Sequence, residues 1–220
     1  MALKKLKTKK YSYFAIGLMV LAGIIYNSWP LGYILDPSTA HFGMASDLED
    51  ANHPYNWLFI AGDIMSGILI LVFAVLMYRH RKAVKSHYWR FIIIGLVLFG
   101  FFTAAGAGAP NNCLSGSLSV CLTIDHKTMG PDGIETSLAA FGLLIGLLGT
   151  CLLSEVYDAR GRSYWFNWAV FLSWFTSGMV FIFEILTNGD LHTAQLVLLL
   201  LCGVSLISIG LTTSLRFSET

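Results

Sequence analysis

Long apolar runs, separated by shorter polar stretches, make up most of the chain. A membrane core about 30 Å thick is crossed by roughly 20 helical residues at about 1.5 Å each. Six runs are long enough, and they cover residues 11–29, 56–78, 91–109, 135–154, 165–186 and 193–213. No small-residue cleavage site follows the first run, which argues against a removed signal peptide. The pattern predicts an all-α protein, a single domain over residues 1–220 built as a membrane bundle of six transmembrane helices.

Basic residues fall almost entirely on one side of this predicted bundle. They precede the first run, lie in the loops after the second and fourth runs, and follow the sixth. Of the 14 Lys and Arg residues, only Lys127 lies elsewhere. Because Lys and Arg accumulate in cytoplasmic loops, both termini are expected inside the cell. Acidic residues concentrate in the two long loops on the opposite side, about 30–55 and 110–134.

Composition supports a membrane environment. Charged residues make up 12% of the chain, about half the roughly 25% that is usual in soluble domains, and hydrophobic residues make up 55%. So few charges cannot cover a surface that faces water. Membrane lipids are therefore the expected partners, and nucleic acid is not expected as one.

Two ionisable side chains lie clearly inside the apolar runs, Asp63 and Glu184. Both fall in the extracytoplasmic half of the predicted membrane, with Asp63 about 10 Å below its edge. A carboxylate at the middle of a membrane costs about 2.5–3.5 kcal/mol on insertion scales and finds no partner in lipid. We therefore expect both side chains to face the interior of the bundle.

Further polar side chains follow these carboxylates at helical spacing. The stripes on the second, fifth and sixth predicted helices comprise Asn56, Asp63, Ser66, Ser177, Glu184, His192 and Gln195. This arrangement predicts a polar pocket open to the extracytoplasmic side, above a floor of apolar packing. The alternative is structural, because such groups also bond across helices at about 0.6 kcal/mol each.

Cysteine and histidine add two hypotheses about the extracytoplasmic loops. Cys113 and Cys121 share one loop that faces an oxidising space, so a disulfide is favoured over free thiols. His126 and His192, with Asp63 and Ser66, are the candidates for a catalytic site. A zinc ion held by histidine and carboxylate is an alternative, although no HExxH motif is present.

Small residues in the fourth predicted helix indicate close helix packing. The stretch FGLLIGLLG places Gly142, Gly146 and Gly149 on nearly one face. Such spacing is typical of seams where two backbones approach closely. We interpret this feature as packing and assign it no chemistry.

The order of motifs resembles a known family. A basic N-terminus is followed by a helix, the turn YNSWPLGYILDP, the opening PYNWLFIAGDIMSG of the second helix, and a cysteine-bearing loop before the fourth helix. This order resembles bacterial six-helix membrane proteins grouped as domain of unknown function 998. The resemblance implies a six-helix fold in a bacterial cytoplasmic membrane. A fainter resemblance, to alkaline-ceramidase-like intramembrane hydrolases, would use Asp63 and Ser66, but their paired C-terminal histidines are missing, since LHTAQ contains only His192.

Three functions are compatible with these observations. The first is a membrane protein whose extracytoplasmic pocket binds a lipid or a small ligand. The second is an outward-facing intramembrane hydrolase of lipid or envelope substrates. The third is a transporter, ranked last because the cytoplasmic halves of the helices carry no ionisable side chain and no three-helix repeat is evident.

Overall fold

The computed structural model describes residues 2–36, 48–49, 54–80, 86–107, 131–157, 161–187 and 191–217. Over these residues the protein is helical and contains no strand, which confirms the all-α prediction. The helices are α1 (Ala2–Tyr26), α2 (Pro30–Leu35), α3 (Asn56–His80), α4 (Tyr88–Gly106), α5 (Pro131–Tyr157), α6 (Arg162–Thr187) and α7 (Leu191–Phe217). Between α2 and α3, the described residues include a 3₁₀ turn at Leu48–Glu49.

Five helices, α3 to α7, are long and apolar enough to cross a membrane. Each agrees with one predicted run to within a few residues. The apolar part of α1 that is described is shorter and extends from Tyr11 to Tyr26, and five lysines precede it in the helix. The structure therefore describes five membrane-capable helices and a shorter apolar one.

Five of the long helices form a closed ring, in the order α1, α3, α4, α5 and α7. The sixth, α6, packs on the outside of this ring against α5 and α7. Its buried residues, Asn167, Val170 and Trp174, all lie in its first half. The largest fully buried side chains of the bundle are Phe73, Phe99, Met19, Ile70, Met77, Ile92, Leu96, Leu143, Leu147, Leu153, Leu206 and Ile209.

The most extensive helix contact is the one between α4 and α5, and glycine makes it possible. A Cβ atom on Gly95 would lie 2.5 Å from the carbonyl oxygen of Gly142 and would also overlap the backbone nitrogen of Gly146. A Cβ on Gly149 would lie 2.9 Å from Ile92. The predicted packing role of the glycines in FGLLIGLLG is thus confirmed, and Gly95 supplies the matching small residue on α4.

The outer surface of the bundle is apolar. Large side chains such as Leu186 and Phe183 are 76% and 61% exposed, and similar residues cover the outward face of every long helix. Soluble proteins rarely expose contiguous apolar patches of this extent. Lipid is the solvent that matches this surface.

The long helices alternate in direction, so the bundle has two chemically distinct ends. We call the basic end the one where α1, α4 and α6 begin and α3, α5 and α7 end, and the acidic end the opposite one. Contacts between distant parts of the chain define the basic end: the Ser12 hydroxyl donates to the Ser214 carbonyl over 2.6 Å, and the Trp89 indole donates to the Met77 carbonyl over 3.2 Å.

The acidic end is shaped by the short helix α2. Proline at its first position has a backbone angle suited to helix entry and lacks an N–H that would go unpaired there. Leu48 packs against Gly32 so closely that a Cβ on the glycine would lie 2.8 Å from the leucine methyl carbons. This contact anchors the Leu48–Glu49 turn to α2 and brings Glu49 close to the ring of helices.

Candidate functional site

A pair of carboxyl groups marks the acidic end. Asp63 lies on α3 about two turns from the start of the helix, half-buried, and its side chain is hydrogen-bonded to that of Glu49. Ionised carboxylates only accept hydrogen bonds, so a bond between two carboxyl groups requires a proton on one of them. The pair is therefore arranged so that one proton would lie between the two carboxyl groups.

The environment of Glu49 determines how firmly that proton is held. Burial disfavours the charged carboxylate and raises the pKa of Glu49 above its ordinary value. The hydrogen bond with Asp63 lowers the pKa of Glu49 and opposes part of this effect. Burial is the larger influence, so the pKa of Glu49 is raised overall.

A row of hydrogen-bonded side chains lies beside the carboxyl pair. The Trp174 indole on α6 donates to the Cys202 sulfur on α7 over 3.4 Å, and Cys202 is hydrogen-bonded to Tyr26 on α1. Tyr26 in turn interacts electrostatically with both Asp63 and Glu49. Four helices and one loop thus contribute to a single polar group of residues at this end.

The turn after α1 supports this arrangement. The Asn27 amide donates to the Gly23 carbonyl over 2.9 Å and accepts a bond from the Trp29 indole over 3.3 Å. The same amide packs directly against the backbone of Gly203 on α7, where a side chain would collide with it. Ser28 lies over Gly62, the residue before Asp63. The close approach of these backbones holds α1, α3 and α7 together around the carboxyl pair.

The chain was compared with known proteins. A family model described as "Protein of unknown function (DUF998)" matches residues 15–213. The chain belongs to the DUF998 family. No curated protein matches the chain, and no solved structure matches it. The likeness to this family is confirmed, and the chemistry of this DUF998 protein must be argued from its own residues.

Ser66 lies in the tightly packed interior of this DUF998 protein. It is fully buried, and its hydroxyl donates to the Ala22 carbonyl of α1 over 3.0 Å. This bond ties α3 to α1 just below Asp63. A hydroxyl held by a backbone carbonyl in close packing does not support the hypothesis of a catalytic nucleophile.

The other predicted pocket residues lie elsewhere at the acidic end. Asn56 is half-buried at the start of α3; Ser177 and Glu184 are half-buried on α6, and His192 and Gln195 begin α7. These last four are on α6 and α7, neither of which carries a member of the carboxyl pair. His126, the other histidine candidate, lies outside the described residues.

The cysteine and metal hypotheses receive no support. Cys113 and Cys121 lie outside the described residues, and the two described cysteines, Cys151 and Cys202, are both thiols. Among the residues that the structure describes, no group of three or more His, Cys, Asp or Glu side chains could hold a metal ion. The disulfide and the zinc site therefore stay predictions.

The basic half of the bundle contains a neutral polar cluster that sequence reasoning missed. The Asn167 side chain accepts bonds from Ser208 over 2.6 Å and Thr212 over 3.1 Å, and donates to Thr212 over 3.0 Å. All three residues are at most 4% exposed. The apolar packing expected beneath the pocket thus also includes a buried polar cluster, which no ionisable group enters. Spacing alone could have indicated it, since Ser208 and Thr212 are one turn apart.

Polar residues also connect the two clusters along α7. Cys202, Ser205, Ser208 and Thr212 follow one another in steps of three or four residues, and all are buried. At about 1.5 Å per residue this stripe extends over roughly 15 Å, half the thickness of a membrane core. Along the interior of α7, these polar residues alternate with the fully buried apolar side chains of Leu206 and Ile209.

Proposed function

We propose that this protein spans the bacterial cytoplasmic membrane six times, with both termini in the cytoplasm. The support for a sixth span is the place of α1 in the ring, between α3 and α7, with Met19 and Ala22 fully buried. The support for the orientation is the gathering of basic residues at one end, as is typical of cytoplasmic surfaces. The acidic end would then face the extracytoplasmic side.

We further propose that the acidic end is a binding site for a lipid or small ligand carrying a protonated amine. The observation that carries this proposal is the hydrogen-bonded pair of Asp63 and Glu49. Two adjacent carboxyl groups hold one shared proton because two negative charges side by side repel each other. A primary ammonium group carries one positive charge and three donors, so it can replace that proton and bond both carboxylates.

The turn that carries Glu49 also suggests how a ligand enters. Leu48 and Glu49 lie on top of the site from the extracytoplasmic side, held by the contact of Leu48 with Gly32. Displacement of this turn would expose Asp63 while α1 and α3 stay packed through the Ser66–Ala22 bond. The polar pocket expected from the sequence is then a site covered by a movable turn.

The test uses the purified full chain in nanodiscs of zwitterionic lipid, with octylamine as the probe and octanol as its uncharged match. Octylamine should raise the melting temperature, and more so at about pH 8 than at about pH 5, because binding displaces a proton from the carboxyl pair while the amine itself stays charged. Octanol should have little effect. Asp63→Asn and Glu49→Gln should both abolish the difference between the two probes.

Glu155→Gln is the matched control. It removes one carboxylate at the basic end, where the side chain is exposed on the last turns of α5. This variant should keep the full response to octylamine. Equal responses to the two probes in the wild-type protein, or an unchanged response after both site substitutions, would contradict an amine site and leave the pair as a structural contact between loop and bundle.

Proton-coupled transport is the second candidate, and the polar stripe along α7 favours it. A transporter needs polar groups in both halves of the membrane, and Cys202, Ser205, Ser208 and Thr212 supply them. In proteoliposomes with an internal pH dye, transport predicts proton entry that Asp63→Asn and Ser205→Leu abolish. Proton entry no faster than in empty liposomes would remove this candidate without affecting the binding proposal.

A further inference from the structure

The two halves of α6 pack differently against its neighbour α7. In the first half, Asn167 is bonded to two hydroxyls of α7, and the Trp174 indole donates to the Cys202 sulfur over 3.4 Å. After Trp174 no side chain of α6 is fully buried, and neither is any side chain of α7 from His192 to Leu201. The two helices are therefore joined firmly on one side of the Trp174 bond and packed loosely on the other.

Gly178 lies in the loosely packed part. It follows Asn167 by about three helical turns and Trp174 by about one, so it is on the face of α6 that contacts α7. Beyond its own helix backbone, no atom of the described residues lies within 4 Å of the position that a Cβ on Gly178 would occupy. Apolar atoms in a packed interior lie about 3.5–4.0 Å apart. This half-buried glycine therefore borders a gap between the two helices.

The residues around this gap are apolar. Because α6 and α7 are antiparallel and meet at the Trp174 bond, Leu198 of α7 lies at the level of Gly178. Ala194 lies one turn further along the same face of α7, and Phe181 follows Gly178 on α6; all are half-buried. We define the α6–α7 groove by the residues Gly178, Phe181, Ala194 and Leu198, with Trp174 at its inner end.

The dimensions of the α6–α7 groove limit what can fill it. From Gly178 to Thr187, at the end of α6, the helix rises about 14 Å, close to the roughly 15 Å of hydrocarbon in one leaflet. Three residues connect α6 to α7, so the two helix ends are at most about 14 Å apart. A helix inserted between them would hold their axes about 16–20 Å apart. The groove therefore has the length of an acyl chain within one leaflet and is too narrow for a helix of a second copy.

We propose that the α6–α7 groove binds one acyl chain of a phospholipid from the leaflet at the acidic end. Both helices are apolar enough to cross a membrane, so the gap between them lies in the hydrocarbon layer, where lipid chains are the solvent. An empty gap would deprive its walls of dispersion contacts, and an acyl chain supplies them without needing a polar partner. Held between two helices, this lipid exchanges more slowly than lipid on the outer surface. The inference does not depend on the amine site at the carboxyl pair.

The test begins with the full chain in nanodiscs that contain a phosphatidylcholine with a diazirine midway along one acyl chain. After transfer into detergent, which removes lipid from the outer surface, irradiation should label Phe181 and Leu198, and peptide mass spectrometry locates the label. Gly178→Phe places a ring in the groove, so the labelling of Leu198 should fall roughly tenfold. Wild-type label confined to outward residues such as Phe183 and Leu186, or no label at all, would overturn the proposal.

Gly17→Phe is the matched control. Among the described residues, nothing lies within 4 Å of a Cβ on Gly17 either, but this glycine is exposed on α1 and borders no groove. The control should keep the wild-type labelling. An equal loss in both phenylalanine variants, or unchanged labelling in Gly178→Phe, would overturn the proposal. A wild-type dimer in native mass spectrometry that Gly178→Phe abolishes would overturn it in favour of a second copy. Should Gly178→Phe fail to fold, Gly178→Leu replaces it with the same expected loss.

Discussion

At the acidic end, Asp63 and Glu49 form a carboxyl pair that joins a transmembrane helix to a loop, whereas at the basic end Asn167 joins α6 to α7 through neutral groups. Both arrangements provide hydrogen-bond partners for polar atoms inside an apolar bundle. The neutral cluster does so with two hydroxyls and an amide, whose bonding does not depend on pH. The carboxyl pair does so only while it holds a proton.

This difference separates a structural role from a chemical one. Neutral hydrogen bonds between membrane helices stabilise the fold, and their strength does not depend on pH or on a bound ion. A shared proton can leave, and its departure creates a negative charge where a cation can bind. On the proposed function, the acidic end is the place where this protein would respond to its environment, whereas the hydrogen bonds in the basic half hold its helices to each other.

The largest effect on stability is expected from a substitution outside both clusters, and it shows what helix packing alone contributes. Gly95→Ala would force the α4 and α5 backbones apart at Gly142 and Gly146. We expect a loss of about 3 kcal/mol in the free energy of unfolding, at the upper end for an overpacked core. Reversible unfolding in mixed micelles would measure it.

Gly178→Ala is the matched control for this packing substitution. Nothing lies within 4 Å of the position that a Cβ on Gly178 would occupy. The variant should be as stable as the wild type, or more stable by about 0.5–1 kcal/mol, because alanine favours the helix. Equal stability of the two alanine variants would show that the α4–α5 seam is less tight than described.

Removal of the Asn167 side chain should have the next largest effect. Asn167→Ala breaks its bonds to Ser208 and Thr212 and should cost about 2 kcal/mol, from three bonds at roughly 0.6 kcal/mol each and a small cavity. The loss should be the same at every pH, since no partner titrates. Ser173→Ala, at an exposed position of the same helix, should change the stability little. A pH-dependent loss in the Asn167 variant would erase the distinction between the two ends.

Glu49→Gln tests the opposite property, a stability that depends on pH. A carboxyl whose pKa is raised by folding stabilises the protein below the pKa of the unfolded chain, near 4.3, and this contribution is lost as the pH rises through the folded-state pKa. The melting temperature of the wild type should therefore fall as the pH rises from about 4. The glutamine variant should show a flatter profile. A wild-type profile that rises over the same range would contradict the raised pKa of Glu49.

The smallest effect is expected at the far end of the acidic-end row. Trp174→Phe keeps the ring packing and removes only the bond from the indole to the Cys202 sulfur. Sulfur is a weak acceptor, so the loss should be about 0.5 kcal/mol or less. Trp165→Phe, at a largely exposed position, should change nothing measurable. A larger loss for Trp174 would show that the row extends the carboxyl site onto α6.

Much of the fold could be predicted from the chain because lipid imposes a simple rule on sequence. Runs of about 20 apolar residues gave helix positions to within a few residues, and the spacing of Gly142 and Gly149 predicted their packing. Both signals are local. They need no knowledge of which helices are neighbours.

The candidate site was only half predictable, for the same reason. Asp63 was found because it interrupts an apolar run, but its partner Glu49 lies in a loop among other acidic residues, and nothing local distinguishes it. Tyr26 and Cys202 were overlooked because their residue types also suit a membrane boundary and an apolar core. Only the contact of α1 with α3 and α7 brings these residues together.

The shortness of α1 has a consequence for the membrane itself. The apolar segment Tyr11–Tyr26 is about 24 Å long, roughly 6 Å less than a typical hydrocarbon core. If α1 is a sixth span that starts at one membrane surface, this segment would end inside the opposite leaflet, beside the polar turn at Asn27 and Ser28. Lipids adapt to such a mismatch by thinning locally. A bilayer that thinned in this way around α1 would bring water and headgroups closer to the carboxyl pair from the side.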